Sequence, residues 1–130
     1  MNKQEKIKYW LEIADYDLET AKAMLVSKRF LYVGFMCHQT IEKTLKAYFS
    51  SKYDDVPPFT HNLKQLANKT EIYDLMPEDY KDIIDLLLPL NIEARYPTYK
   101  EQLLKSLSYA KCEEILKQTN ELKQWIEKQL

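Results

Sequence analysis

Two short stretches of the sequence carry side chains that could bind an anion. The first spans residues 37–47, where charged residues interrupt what is otherwise an apolar helical pattern. Glu42 and Lys46 are four residues apart, which makes them a stabilising pair on one helix surface. Lys43 and Lys46 are therefore candidates for binding a phosphate. The alternative is that these charges form an ordinary solvated helix face.

Two histidines, His38 and His61, add further chemistry-bearing groups. His38 and Glu42 lie four residues apart and could form half of a metal site, but the two histidines are not spaced as one ligand pair. The alternative for His38 is a histidine at the edge of the core, satisfied by a neighbour. We predict no metal site and no cofactor, and we keep both histidines as candidate phosphate contacts.

The second stretch is residues 93–99, EARYPTY. Arg95 immediately precedes the last predicted helix, where free backbone N–H groups and the helix dipole favour an anion. The guanidinium of Arg95 adds a bidentate donor, and Tyr96 and Tyr99 offer faces for stacking a base. Alternatively, Arg95 pairs with Glu93 or another acid and the tyrosines pack in the interior.

Several common catalytic patterns are absent from the sequence. It has no glycine-rich phosphate loop, no nucleophile elbow and no Cys/His zinc cluster. The net charge of −1 argues against a chain that binds nucleic acid over its whole surface. The charge is uneven, however, with an excess of bases in residues 1–53 and of acids in residues 54–97. Cys37 and Cys112 have no metal or redox spacing and are predicted to be core side chains.

The elements that must position these residues are helices. A single glycine, Gly34, argues against an all-β fold. Apolar residues three and four apart predict a first helix that begins after an Asn2 cap, and a second helix from about Phe30 to Tyr53. Gly34 inside the second helix predicts a close helix crossing. The seam of the first helix comprises Ile7, Leu11, Ala14, Leu18, Ala21 and Leu25.

Prolines and caps divide the rest of the chain. Two adjacent prolines in residues 54–58 end the second helix, and Thr60 is the predicted cap of a short third one. Pro77 begins a fourth helix, which Pro89 should kink. A Thr98–Glu101 capping box predicts one long last helix to Gln129. We therefore predict an all-α fold, an antiparallel up-and-down bundle of four to five helices forming one domain over residues 1–130.

The chain shows no secretory segment, and no apolar run approaches the roughly 20 residues needed to cross a bilayer. We therefore expect a cytoplasmic protein with no membrane partner.

Four blocks in this sequence together resemble the HEPN domain family. They are the opening helix with Trp10 and Asp17, the HQ..EK.LKA block of residues 38–47, the THNL turn of residues 60–63, and the ARYP segment of residues 94–97. The blocks follow the family order and cover nearly the whole chain.

The resemblance implies a helical bundle related to the substrate-binding domain of nucleotidyltransferases. It also implies a homodimer that binds nucleotide or RNA, with the arginine near a cleft between subunits. Many members are paired with a small nucleotidyltransferase, often as toxin and antitoxin. Nuclease members carry an arginine followed, after four to six residues, by a histidine.

That histidine is missing here, because the corresponding positions are Lys100, Glu101 and Gln102. The usual acid–base group for RNA cleavage is therefore absent, although Tyr99 or His61 could substitute for it. We accordingly favour a non-catalytic nucleotide- or RNA-binding module. The alternatives are a ribonuclease toxin with altered catalytic residues and a purely structural interaction bundle.

Overall fold

A computed structural model describes the backbone of residues 1–91 and 97–130 and the side chains of residues 1–91 and 101–130. The described residues contain helices and no strand, which confirms the predicted all-α bundle. The helices are α1 (Lys3–Val26), α2 (Phe30–Lys52), α3 (Leu63–Lys69), α4 (Ile72–Leu75), α5 (Glu78–Leu87), a 3₁₀ turn (Leu88–Leu90), α6 (Pro97–Ser106) and α7 (Tyr109–Lys128).

The first two helices follow the sequence pattern closely. The Asn2 side chain caps α1 by accepting a hydrogen bond of 2.8 Å from the backbone N–H of Glu5. The α1 seam is buried at Ala14, Leu18, Ala21 and Leu25. Only three residues join α1 to α2, so the two helices are antiparallel neighbours, and they form the most extensive contact in the fold.

The segment between α2 and α5 differs in detail from the prediction. The cap of α3 is Asn62, whose side chain accepts from the Gln65 N–H, whereas Thr60 was predicted to cap it. The Thr60 hydroxyl instead accepts from the Asn62 N–H and contacts the Gln65 side chain. The short helix α4 was not predicted, and four residues are too few to give a periodic signal.

Pro89 ends α5 instead of kinking it. The helix stops at Leu87, and Pro89 lies in the 3₁₀ turn Leu88–Leu90 that follows. A proline lacks the N–H that would continue the α-helical ladder. Gly34 is the point of close approach that its position predicted: a Cβ there would lie 3.1 Å from Cδ1 of Leu90.

The long last helix is broken into two. Helix α6 ends at Ser106, and α7 begins at Tyr109 with Ser108 as its cap. The Ser108 hydroxyl accepts from the backbone N–H of Lys111 at 3.1 Å. The predicted seam steps by five residues between Leu107 and Cys112, and this change of spacing is the sequence signal of the break.

Helices α1, α2, α5 and α7 alternate in direction. Near the start of α2, the Phe30 ring contacts Tyr109 at the start of α7, so these two helices run the same way. Tyr80 at the start of α5 meets Trp125 near the end of α7, so α5 runs against both. Because α1 is antiparallel to α2, the sequential helices form an up-and-down bundle.

The core lies between these four helices, with α2 at its centre. Helix α2 buries sixteen of its residues and contacts α1, α3, α5, α6 and α7. Cys37 and Cys112 are both buried free thiols, as predicted, and burial raises the pKa of Cys37 to about 12. None of the helices in the described part of the chain is long and apolar enough to cross a membrane.

Candidate phosphate-binding site

A completely buried carboxylate, that of Glu42, lies at the centre of the charged face of α2. Three basic groups converge on it. His61 Nδ1 is 2.7 Å from Oε1, while Lys43 Nζ and Lys46 Nζ are 3.0 and 3.2 Å from Oε2. We call these four residues the Glu42 cluster.

The helical spacing of α2 explains how two lysines reach one carboxylate. Lys46 follows Glu42 by one helical turn, and Lys43 also contacts Oε1 of Gln39, one turn before it, at 2.8 Å. The Lys43 and Lys46 side chains are 18% and 9% exposed, so their stems are largely covered. Their ammonium groups lie where the buried acid meets the surface.

The three basic groups keep Glu42 ionised. Burial alone would raise the pKa of this carboxyl, but the His61 hydrogen bond and the charges of Lys43 and Lys46 outweigh it, and the net shift is downward. An ionised carboxylate only accepts hydrogen bonds, so His61 donates from Nδ1. This bond fixes the ring orientation of a side chain that is 51% exposed.

Helix α1 contributes two residues at the border of the cluster. The Lys46 ammonium lies 5.4 Å from the centre of the Trp10 ring, within cation–π range. Asp17 lies near Lys43 and Glu42. Burial raises the pKa of Asp17, and the Glu42 charge adds to that effect while Lys43 opposes it.

The loop of residues 53–62 carries His61 to the cluster. Pro57 in this loop is buried and anchors it to the bundle. The Thr60 N–H donates to the Pro58 carbonyl at 2.9 Å, and the Asn62 N–H donates to the Thr60 hydroxyl at 3.1 Å. These contacts fix the backbone on both sides of His61. In the same loop Phe59 is 97% exposed.

His38 is also close to Glu42, but its ring is completely buried. Neither ring nitrogen has a hydrogen-bond partner among the described residues. The His61 backbone is nevertheless close enough to raise the His38 pKa. Burial outweighs this effect and that of Glu42, and lowers the pKa to about 4. His38 is thus a neutral core residue that a ligand at the surface does not reach in this structure.

The second predicted stretch lies largely outside the described residues. Arg95 and Tyr96 are not among them. The backbone of Tyr99 belongs to α6, but its side chain is not described. The structure therefore groups Lys43, Lys46 and His61, and it leaves the predicted roles of Arg95, Tyr96 and Tyr99 as predictions.

The arrangement has a clear chemical consequence. One buried negative charge holds two lysines and one histidine, so these four residues carry a net positive charge, which the neighbouring Asp17 partly offsets. Such a cluster suits the phosphate of a nucleotide or a nucleic acid. Within the described ranges, no three His, Cys, Asp or Glu side chains converge as a metal site.

Sequence reasoning found part of this cluster and missed part. The Glu42–Lys46 pair followed from helical spacing. The His61–Glu42 contact joins residues 19 positions apart across a loop, and no local pattern predicts it. Trp10 and Asp17 were noted only for their place in a motif. Trp10 lies four residues before the buried Ala14, and Asp17 lies three residues after it. This spacing puts both residues on the side of α1 that faces α2, which the sequence could have predicted.

Comparisons with known proteins agree with this fold. A family model described as HEPN domain matches residues 7–129, nearly the whole chain. Among solved structures, the chain is similar to TT1696 from Thermus thermophilus, with a TM-score of 0.79 and 22% identity over 100% of both chains. At that identity the likeness concerns the fold alone. No curated protein matches the chain.

Proposed function

This chain belongs to the HEPN domain family, and from that premise we propose that it is a non-catalytic module that binds the phosphate groups of a nucleotide or an RNA. Membership of the family supports a nucleotide- or RNA-related role. The binding surface we propose is the outward side of the Glu42 cluster.

One observation carries this proposal, namely the convergence of Lys43, Lys46 and His61 on a buried carboxylate. The carboxylate neutralises only part of their charge and holds them in fixed positions before a ligand arrives. Pre-positioned donors lose less side-chain entropy on binding than mobile ones do. The Lys43 ammonium carries three N–H groups and uses two of them for Gln39 and Glu42, so one donor remains for an anion.

The sequence adds a second group of contacts to this proposal. Arg95 would donate to a phosphate beside the N-terminal end of α6, and Tyr96 and Tyr99 would stack on a base. Pro97 is the first residue of α6, so Arg95 lies two residues before that helix in the chain.

The family resemblance supplies the proposed partners. In this proposal the protein is a cytoplasmic homodimer that acts with a small nucleotidyltransferase in a toxin–antitoxin-like system. Co-purification of the chain with a nucleotidyltransferase encoded beside it would test that partnership. Sedimentation of the purified chain as a monomer at micromolar concentration would contradict the dimer.

Titration of the purified protein with ATP and with short RNA tests the binding function. We expect saturable binding that weakens in Lys43→Gln and Arg95→Ala. The matched control is Arg29→Ala, because Arg29 is the chain's other arginine and is exposed at the start of α2. If the wild type binds neither ligand, the bundle has a structural role instead. If all three variants bind as the wild type does, the ligand binds at another surface and the proposed site is wrong.

A second candidate function is favoured by the geometry of one pair. His61 is oriented by a buried carboxylate and is half exposed, as an imidazole that acts as a general base would be. In RNA cleavage it would take the proton of a ribose 2′-OH. The 2′-oxygen would then form a bond to phosphorus while the bond to the 5′-oxygen breaks. The departing 5′-oxygen would take a proton from water, giving a cyclic phosphate and a 5′-hydroxyl. Lys43 would stabilise the charge on the phosphoryl oxygens.

Incubation of the protein with end-labelled RNA and a metal chelator distinguishes the two functions. Cleavage that is lost in His61→Gln and retained in Arg29→Ala would establish the ribonuclease. Intact RNA under conditions of saturated binding would leave the non-catalytic module. Toxicity on expression that Arg95→Ala relieves would support the ribonuclease independently.

A further inference from the structure

The Glu42 cluster is not the only group of cations on this side of the bundle. Lys3 and Lys6 lie on the same face of α1 as Trp10. The Lys3 ammonium is 3.4 Å from the Ser51 carbonyl oxygen, and the Lys6 ammonium is 3.3 Å from that of Asp54. These contacts place both lysines beside the start of the loop that later carries His61.

The two groups of cations are too far apart for one phosphate. Lys3 and Asp17 are separated by about 21 Å along α1 at 1.5 Å per residue, and Asp17 lies near Lys43. Lys3 and Lys6 therefore mark one end of a surface lined by lysines, and Lys43 and His61 mark the other. Two acids also lie along it: Asp54, which pairs with Lys3 at 3.5 Å, and Asp17 beside Lys43. Trp10 and Lys46 lie between them.

Two aromatic residues lie near these cations in the fold. Trp10 is half-buried under the Lys46 ammonium. Phe59 is almost entirely exposed and lies only two residues before His61, so their Cα atoms are within about 7 Å. Phe59 lies on a loop that is held by Pro57 and by backbone hydrogen bonds. None of the described residues packs over its ring, so it offers an exposed apolar face.

Lysines alternating with aromatic rings are what unpaired nucleic acid requires, because its bases expose their faces and its backbone carries a regular negative charge. Building on the proposed function, we propose that this surface is a track for a single strand of nucleic acid several nucleotides long. A base stacks on Phe59, one phosphate lies at Lys43 and His61, and the strand continues past Trp10 to Lys3 and Lys6.

A single strand of nucleic acid is a narrower ligand class than the nucleotides and RNA of the proposed function. A mononucleotide contacts one end of the track and a strand contacts both. A duplex presents phosphates to the lysines but keeps its base faces stacked inside the helix, away from Phe59. The track therefore prefers single strands to duplexes of the same length.

Fluorescence of Trp10 offers a direct measurement. The chain contains two tryptophans, and Trp125→Phe, which keeps an aromatic ring against Tyr80, leaves Trp10 as the only one. This protein is titrated with AMP, with single-stranded RNA and DNA of two, four and eight nucleotides, and with an RNA duplex of eight base pairs. Circular dichroism of each variant confirms that it is folded.

We expect affinity to rise with strand length and Trp10 emission to change on binding. Phe59→Ala should weaken binding of the eight-nucleotide strand by about fivefold or more, the effect of one base stack. The matched control Tyr16→Ala, an exposed aromatic on another face of α1, should have no effect. The double variant Lys3→Gln/Lys6→Gln should weaken the eight-nucleotide strand and leave AMP unchanged. Tighter binding of RNA than of DNA would assign the track to RNA, and equal binding would assign it to both.

Three results would overturn the track: an eight-nucleotide strand that binds no tighter than AMP, a duplex that binds as tightly as the single strand, or identical behaviour of Phe59→Ala and Tyr16→Ala. Any of these, with AMP binding still dependent on Lys43, would leave the proposed function standing. Absence of binding to every ligand would remove both proposals.

Discussion

Two sites in the described part of the bundle are each built around a buried charge, and their surroundings are opposite in sign. At the Glu42 cluster, a buried acid is held by bases. On the α1–α7 side, the buried ammonium of Lys123 is held by the acids Asp15 and Glu127, with Asp15 at 2.5 Å. We call these three residues the Lys123 clamp. In both places a single buried charge fixes several side chains nearer the surface.

The difference lies in what each site shows to solvent. The clamp presents carboxylates, and Asp15 is 65% exposed. Burial lowers the pKa of Lys123, but its bonds to Asp15 and Glu127 raise it more, so the net shift is upward and Lys123 stays protonated. The clamp therefore presents negative charge and joins α1 to α7, whereas the Glu42 cluster presents lysines. In our proposal, burying a charge serves cohesion in the first case and ligand binding in the second.

The largest effect should come from removing the buried acid. Glu42→Ala leaves Lys43 and Lys46, both mostly covered, without their counter-charge. Breaking a buried ion pair from one side costs about 3–5 kcal/mol. We expect the free energy of unfolding, measured by urea denaturation at pH 7, to fall by that amount.

The control for this variant is Glu19→Ala, which removes an exposed carboxylate that pairs with Lys22 on the surface of α1. Exposed pairs contribute about 1 kcal/mol or less. A Glu42→Ala protein as stable as the Glu19→Ala protein would mean that the three bases do not depend on Glu42.

Lowering the pH should destabilise the bundle through protonation of His38, which lies near Glu42. The pKa of His38 is about 4 when folded, against an ordinary value of 6.5. Because the pKa of His38 is lower in the folded than in the unfolded protein, its contribution to the free energy of unfolding is fully present above pH 6.5. That contribution is lost as the pH falls toward 4. Between pH 7 and pH 5 this amounts to about 2 kcal/mol. Urea denaturation at the two pH values should show this loss, and His38→Leu should abolish it.

The lowered pKa of Glu42 also makes the folded protein less stable as the pH falls, but over a lower pH range. Its contribution is present above the ordinary carboxyl pKa of 4.5 and is lost below it, so Glu42 contributes little between pH 7 and pH 5. The raised pKa of Asp17 has the opposite sign, because it adds stability as the pH falls. A His38→Leu protein that loses as much stability as the wild type over that interval would assign the effect to another group.

The two charged sites also show what the sequence could predict. Spacing along one helix found the Glu42–Lys46 pair. It also found the bounds of α1 and α2 and the Asn2 cap of α1, because each depends on residues within a few positions. The Lys123–Asp15 contact and the His61–Glu42 contact join residues far apart in the chain. Local spacing carries no signal for such pairs, since packing of different elements creates them.

Later helices were predicted less well for a related reason. Ser108 can cap a helix or occupy an exposed helical position, and the apolar seams on both sides of it led to the prediction of one continuous helix despite the five-residue step from Leu107 to Cys112. Packing of Leu107 and Cys112 into the core requires the chain to turn there, and both residues are buried. Burial of His38 was likewise open in the sequence, because a histidine fits either a core edge or a ligand site.

Loss of one lysine from the Glu42 cluster should change the free energy of RNA binding by less than the stability changes described above. In Lys43→Gln one phosphate donor is lost, and we expect about tenfold weaker binding of a short RNA, equivalent to about 1.4 kcal/mol. The dependence of log affinity on log salt should decrease by about 0.7 for each phosphate contact removed from a single strand. The control Lys117→Gln on α7 should leave both quantities unchanged. Equal losses in the two variants would indicate non-specific attraction to lysines.

The smallest effect should come from the clamp itself. Lys123→Met replaces the ammonium with an apolar side chain of similar length, and the stem position stays filled. Asp15 and Glu127 then regain water, because both reach the surface, so neither becomes a buried unpaired charge. We expect the free energy of unfolding at pH 7 to fall by less than about 1 kcal/mol, close to the value for the exposed control Lys128→Met. Urea denaturation of the three proteins measures this directly. A loss of about 3 kcal/mol or more would place the clamp in the same class as Glu42, and the contrast between a cohesive site and a binding site would then have to rest on ligand affinity alone.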